Sequence, residues 1–266
     1  MAHPSYLDIT RRISTGLTKV SKFGRNGAVG TTTVPITIDG VYRTPQVSGA
    51  TALRVRAGNA NDAAAGSGAR AVTLEGLDET GAFARETIAT NGESAGALST
   101  TTWLRVFRCY VSASGTYAST AAGSHSAAIV IETSGGTEWA QISATGFPEA
   151  QSLIAAYSVP LGFHAYVTDL TFSVDSAKTA DVLFFRRDNI LQTAAPYSAM
   201  RLVEEYDGVS GFISPNLQVP LGPFSELTDI GFMARVAAGT ADVSASFSII
   251  LNSGDPRTRS SIPQEN

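Results

Sequence analysis

Residues 69–90 leave the chain little choice of local structure. ARAVTLEGL and AFARETIAT flank Asp78-Glu79-Thr80-Gly81. Glycine closes that four-residue turn, where a positive φ is often needed, so the segment reads as a β-hairpin. TALRVRA upstream sets Leu53, Val55 and Ala57 against Arg54 and Arg56, as in a strand with one buried and one wet face. Downstream, TTWLRVFRCYVSA carries Trp103, Phe107, Cys109 and Val111 on one face and Leu104, Val106 and Tyr110 on the other. A strand apolar on both faces is central or covered by another layer.

The remainder repeats this style of short apolar runs joined by small-residue turns. Gly, Ser, Thr and Ala dominate the 266 residues and only 16% are charged, a balance too apolar for disorder. No apolar run is long enough to cross a bilayer, and the N-terminus lacks the apolar core of a secretion signal. A single cysteine, Cys109, excludes an internal disulfide framework and reads as a buried, inert thiol. The expected fold is all-β, with two β-sandwich or jelly-roll-like domains and an extended N-terminal arm.

The boundaries follow from breaks in the pattern. Residues 1–32 show no sustained periodicity and read as a basic arm. A first β-sandwich-like domain runs over 33–146, up to the Gly/Pro break at GFPE. A second, jelly-roll-like domain covers 147–252, and 253–266 form a polar tail. Within the second domain Val159-Pro160-Leu161-Gly162 recurs as Val219-Pro220-Leu221-Gly222, and Thr168-Asp169 as Thr228-Asp229. Thr179-Ala180-Asp181-Val182 recurs as Thr240-Ala241-Asp242-Val243. Equivalent turns followed by superposable strands are expected from it. EAQSLIAAY and PYSAMRLVEEY fit a short helix or a strand equally well.

Charge is unevenly placed. Arg11, Arg12, Lys19, Lys22 and Arg25 stand against Asp8 alone in the first 30 residues, giving +4, while the whole chain carries −4 and the remainder therefore −8. The arm is expected to lie against a neighbouring subunit or the shell, with these five residues and the apolar anchor Phe23 as assembly contacts.

Catalytic patterns are not apparent. His3, His125 and His164 have no nucleophile or acid partner suggested by spacing, and no His or Cys pair has zinc spacing. Asn59, Asn61 and Asp62 could offer oxygens to calcium, but the Ala and Gly that follow make them better turn formers. Glu204 and Glu205 would point to opposite faces of a strand, and Asp78 and Glu79 sit in a turn, which argues against a glycosidase pair. No cofactor is expected.

Three stretches resemble one family. Asp62–Arg70 reads D-x-A-A-G-x-G-A-R, Val72–Asp78 reads V-x-L-E-G-L-D, and Tyr157–Gly162 reads Y-x-V-P-x-G. Together they resemble virion structural proteins of tailed bacteriophages, particularly marine and cyanobacterial phages. That resemblance implies a non-enzymatic part of the particle, assembled in the host cytoplasm: a head decoration, cement or vertex protein. The alternative is a tail- or fibre-associated module that binds a receptor or glycan. Implied partners are copies of the chain and other virion proteins such as major capsid or tail proteins, with no membrane and no direct nucleic-acid contact.

Overall fold

The computed structural model describes residues 8–9, 16–38, 42, 49–115, 124–144 and 150–253. Among the described residues from Gly16 on, every named element is a β-strand and every pairing between these strands is antiparallel. In chain order they are β1 (Leu17–Val29), β2 (Val34–Pro35), β3 (Thr51–Ala57), β4 (Ala69–Asp78), β5 (Phe83–Ala89), β6 (Thr102–Ser114), β7 (Ile129–Thr133) and β8 (Glu138–Ile142). These are followed by β9 (Ala156–Ser158), β10 (His164–Val174), β11 (Ala180–Arg187), β12 (Arg201–Val209), β13 (Gly211–Ile213), β14 (Leu221–Phe224), β15 (Asp229–Arg235) and β16 (Ala241–Asn252). EAQSLIAAY and PYSAMRLVEEY are thus extended, the first leading into β9 and the second into β12.

The chain divides into two compact units, and the division departs from the boundaries expected above. One unit is split in sequence: it draws on residues 1–36, 155–190 and 198–266. The other, 37–154 with 191–197, is inserted into it. Residues 17–29 are therefore not an arm but strand β1 of the split unit, paired along its length with β16. Its inward side chains are Lys22, Gly24 and Asn26, so no apolar periodicity announces it. Gly24 sets that register. A Cβ there would lie 2.2 Å from the Ala155 nitrogen and 2.3 Å from the Ile36 oxygen, so only glycine lets that backbone pass. With side chains alternating along a strand, an inward Gly24 forces Phe23 and Arg25 outward. Where the insertion departs and returns, the split unit is stitched closed. Ala155 donates to the Ile36 carbonyl at 3.1 Å, Ile36 to Phe232 at 3.0 Å, and Phe232 to Ala155 at 2.9 Å.

In the split unit, two five-stranded sheets face each other. The first has the order β1-β16-β10-β13 with β14 also on β10; the second has the order β12-β11-β15-β2 with β9 also on β15. Phe172 and Phe247 of the first interleave with Phe184 and Phe232 of the second at centroid distances of 5.6–5.9 Å. Aromatic burial of this kind supplies area and tilted ring contacts at once. The repeat maps onto this arrangement with the sheets exchanged. β10 and β11, which follow the first copy, belong to the first and second sheets, whereas β15 and β16 belong to the second and first. The Ala-Asp-Val starts are equivalent. Ala180 and Val182 are buried, as are Ala241 and Val243, while Asp181 and Asp242 each pair with an arginine on the adjacent strand. The Val-Pro-Leu-Gly turns are not equivalent: Val159 is fully buried, whereas Val219 is 73% exposed.

The inserted unit is a single six-stranded sheet, β5-β4-β6-β3-β7-β8, where a two-sheet sandwich is expected from the sequence. β3 makes the corner: Thr51 and Ala52 pair with β6, and Leu53–Ala57 pair with β7. The sheet curls so that β8 comes back against β6. Trp103, Leu104, Val106, Phe107 and Cys109 are accordingly all buried. The β4–β5 hairpin is as read, with Gly81 at φ 84° and Asp78 Oδ1 accepting from the Thr80 and Ala82 amides.

Candidate functional site

The outward face of the first sheet holds the described part of the basic segment. Cross-strand register sets its rows. Lys19 lies beside Ile250 and Tyr166; Ser21 beside Ser248 and Asp169; Phe23 beside Ser246 and Thr171; Arg25 beside Ser244 and Ser173, with Phe212 next to Ser173. The centre is a floor of small hydroxyls, tied by a hydrogen bond between Thr171 Oγ1 and Ser246 Oγ. Exposed rings stand at both margins, Phe23 at 44% on β1 and Phe212 at 72% on β13. Small hydroxyls with exposed rings at the margins suit contact over an area more than the enclosure of a small molecule.

Each expected contact residue has a distinct fate. Arg11 and Arg12 lie outside the described residues. Lys19 and Phe23 face outward, whereas Lys22 is buried on the inner side of the edge strand. Arg25 makes a bidentate pair with Asp242 of its own chain, 2.5 Å at the closest. Basic segment and acidic body do meet at Arg25, within one molecule. Both partners are well exposed, so the pair adds little stability.

The other candidates are structural. Asp62 is fully buried, and its carboxylate accepts from the amides of Ala69 (2.8 Å), Ser126 (2.8 and 3.0 Å) and Ala127 (3.1 Å). The glycines of the Asp62–Arg70 motif exist for that anchor. A Cβ at Gly68 would lie 2.1 Å from Asp62 Oδ1, and one at Gly66 2.0 Å from the Asn61 carbonyl. His3 lies outside the described residues; His125 Nε2 sits 2.6 Å from the Ser143 carbonyl, and His164 is buried at the start of β10. Glu204 lies opposite the buried Phe184 and Glu205 opposite Leu183, so the two point to opposite faces. Glu75 pairs with Arg85 and Arg108. Among the described residues no group of three or more His, Cys, Asp or Glu could hold a metal ion. Glu132, buried, receives both Arg54 and Arg56 at 2.8–3.1 Å; hydrogen bonds from Arg56 lead in holding its carboxyl below the ordinary range, against the opposing effect of burial.

Sequence reasoning missed Phe212 and Asp169 as neighbours of the basic segment. Only the β1-β16-β10-β13 order brings them together, and no local signal carries that order.

No protein-family model and no curated protein matches the chain. Two solved structures show weak likeness. An isomalto-dextranase of Arthrobacter globiformis T6 in complex with panose is 12% identical over 88% of this chain, with a TM-score of 0.20. This chain spans 35% of that protein's length. A structure of infectious bursal disease virus strain Gt is 10% identical over 95% of this chain and 84% of that one, with a TM-score of 0.15. Neither score carries an argument about fold or function.

Proposed function

We propose that the chain is a structural component of a tailed-phage virion, a head-surface decoration, cement or vertex protein that acts through subunit contacts and catalyses nothing. The observation that carries this reading is where the exposed phenylalanines sit. Phe23, Phe83 and Phe212 all lie on strands at the margins of sheets, β1, β5 and β13, rather than on loop tips or in a cleft. Rings on broad sheet faces suit packing against another protein surface. A receptor- or glycan-binding module on the tail calls instead for rings gathered on loops. Among the described aromatics exposed to solvent, Tyr197 alone stands outside a strand.

The strand order supports a jelly roll for the split unit. β1, β16, β10 and β13 face β2, β15, β11 and β12, the alternation produced by two interlocked Greek keys. That architecture serves shells and lectins alike, so it narrows the function less than the placement of the rings does. The test is to delete the gene in a phage that carries it and compare particles. A cement role gives particles that lack the chain and lose DNA at lower temperature than wild type. Particles of unchanged composition and stability would refute it. Loss of host adsorption with intact heads would select the tail reading.

A further inference from the structure

We infer that the outward face of the first sheet is an isologous contact with a second copy of this chain, turned over about an axis parallel to the strands. The inference deepens the assembly reading and rests on it for the identity of the partner. The argument begins with what the edge strand cannot do. β1 is an edge, but Lys22 points inward from it, an arrangement that penalises a further strand added there. Association on the β1 side is then left to the face.

That face is complementary to itself. Turning a copy over lays its β1 above β13 and its β16 above β10. Phe23 of one copy then falls one residue pair along the strand from Phe212 of the other, an in-plane offset of about 7 Å that two rings reaching into the space between the sheets can close. Charge agrees as well. Lys19 and Asp169 are both exposed on this face and neither has a partner among the described residues. Lys19 of one copy lands one strand and one residue pair from Asp169 of the other, an in-plane offset of roughly 8 Å. With sheets stacked about 10 Å apart, that puts the backbones about 13 Å apart, a gap that the two side chains extended together can span. The twofold makes each of these contacts twice. Arg25 stays with its own Asp242 and adds no unpaired charge. Four strand spacings by the seven residues from Lys19 to Arg25 cover on the order of 450 Å² per copy, or about 900 Å² in total. That is at the small end for specific interfaces, so the contact should be weak alone and be strengthened by repetition in an assembly.

The experiment is sedimentation equilibrium on the full chain and four variants. Wild type should dimerise with a micromolar Kd. Phe212→Ser, at a position 72% exposed and so without consequence for folding, should weaken the dimer about tenfold or more. Lys19→Asp and Asp169→Lys should each weaken it by roughly fivefold or more, and the double reversal should recover most of the wild-type affinity. A monomer at about 100 µM, or a double reversal no better than the singles, overturns the inference. Particle composition separates the two claims. A monomeric chain still found in virions defeats this contact and leaves the virion reading standing; a dimer obeying the charge reversals but missing from virions does the opposite.

Discussion

Replacing Asp62 tests whether the Asp62–Arg70 motif is a folding device. Asp62→Ala removes the acceptor for three backbone amides. Ala69 is fully buried, so its stranded N–H bears the whole desolvation penalty, about 1–3 kcal/mol. Ser126 is exposed and Ala127 half-buried, so their amides can turn to water at a fraction of that cost. The sum is about 2–4 kcal/mol. Asp62→Asn keeps one oxygen but sets an NH₂ group against amide donors, and should cost about 1–2 kcal/mol. The assay is unusually clean because the chain's two tryptophans, Trp103 and Trp139, both belong to the inserted unit. Intrinsic fluorescence during urea unfolding therefore reports that unit. At an m-value of roughly 1.5 kcal/mol/M, the midpoint should fall by about 1.3–2.7 M for Asp62→Ala. Calcium or chelator should leave the wild-type midpoint unmoved. A shift below about 0.3 M for Asp62→Ala, or a calcium-dependent wild-type midpoint, would refute the anchor and revive a metal role for Asn59, Asn61 and Asp62.

Three further outcomes are expected. Gly24→Ala should destabilise the split unit by about 1–3 kcal/mol or more, seen in near-ultraviolet dichroism, while Gly27→Ala, with open space around its Cβ position, changes little; equal effects would contradict the close approach at Gly24. Cys109, fully buried, should react with a thiol reagent only after denaturation, and Cys109→Ala should cost about 1–2 kcal/mol; rapid native labelling would reopen the question of catalysis. Because the folded carboxyl of Glu132 lies below its ordinary value of 4.5, its contribution is fully present above that pH and is lost as pH falls through the folded value. The fluorescence-detected midpoint should therefore drop below pH 4.5, and Glu132→Gln should flatten that drop.

The all-β class was legible because β3 and β4 bury apolar side chains against side chains, Leu53, Val55 and Ala57 from the first and Val72, Leu74 and Leu77 from the second. β1 was hidden for the opposite reason. Its inner face meets backbone at Ala155 and Ile36, so the residues pointing in are Lys22, Gly24 and Asn26, and hydropathy marks none of them. With β1 unseen, the first 32 residues passed for an arm, and nothing local could reveal that the chain leaves the split unit at Ile36 and re-enters it at Ala155. The repeat was readable where it governs packing, at Ala180-Asp181-Val182 and Ala241-Asp242-Val243. It misled at Val-Pro-Leu-Gly, where Gly162 closes a turn and Leu221 and Gly222 already lie in β14. Asp62 looked like a turn former, and its reach across to Ser126 and Ala127 depends on a contact 64 residues distant. The face proposed for self-contact was half visible, as a basic segment with one aromatic; its other half, Asp169 and Phe212, is set by sheet order alone.

Density for the particle is the most direct test of the central claim. A cryo-electron microscopy map of a phage encoding this chain should show the split unit's paired sheets in many copies on the head or at its vertices, with the Phe23–Phe212 face between neighbouring copies. A complete map, with every shell, vertex and tail density assigned to other chains, would contradict it.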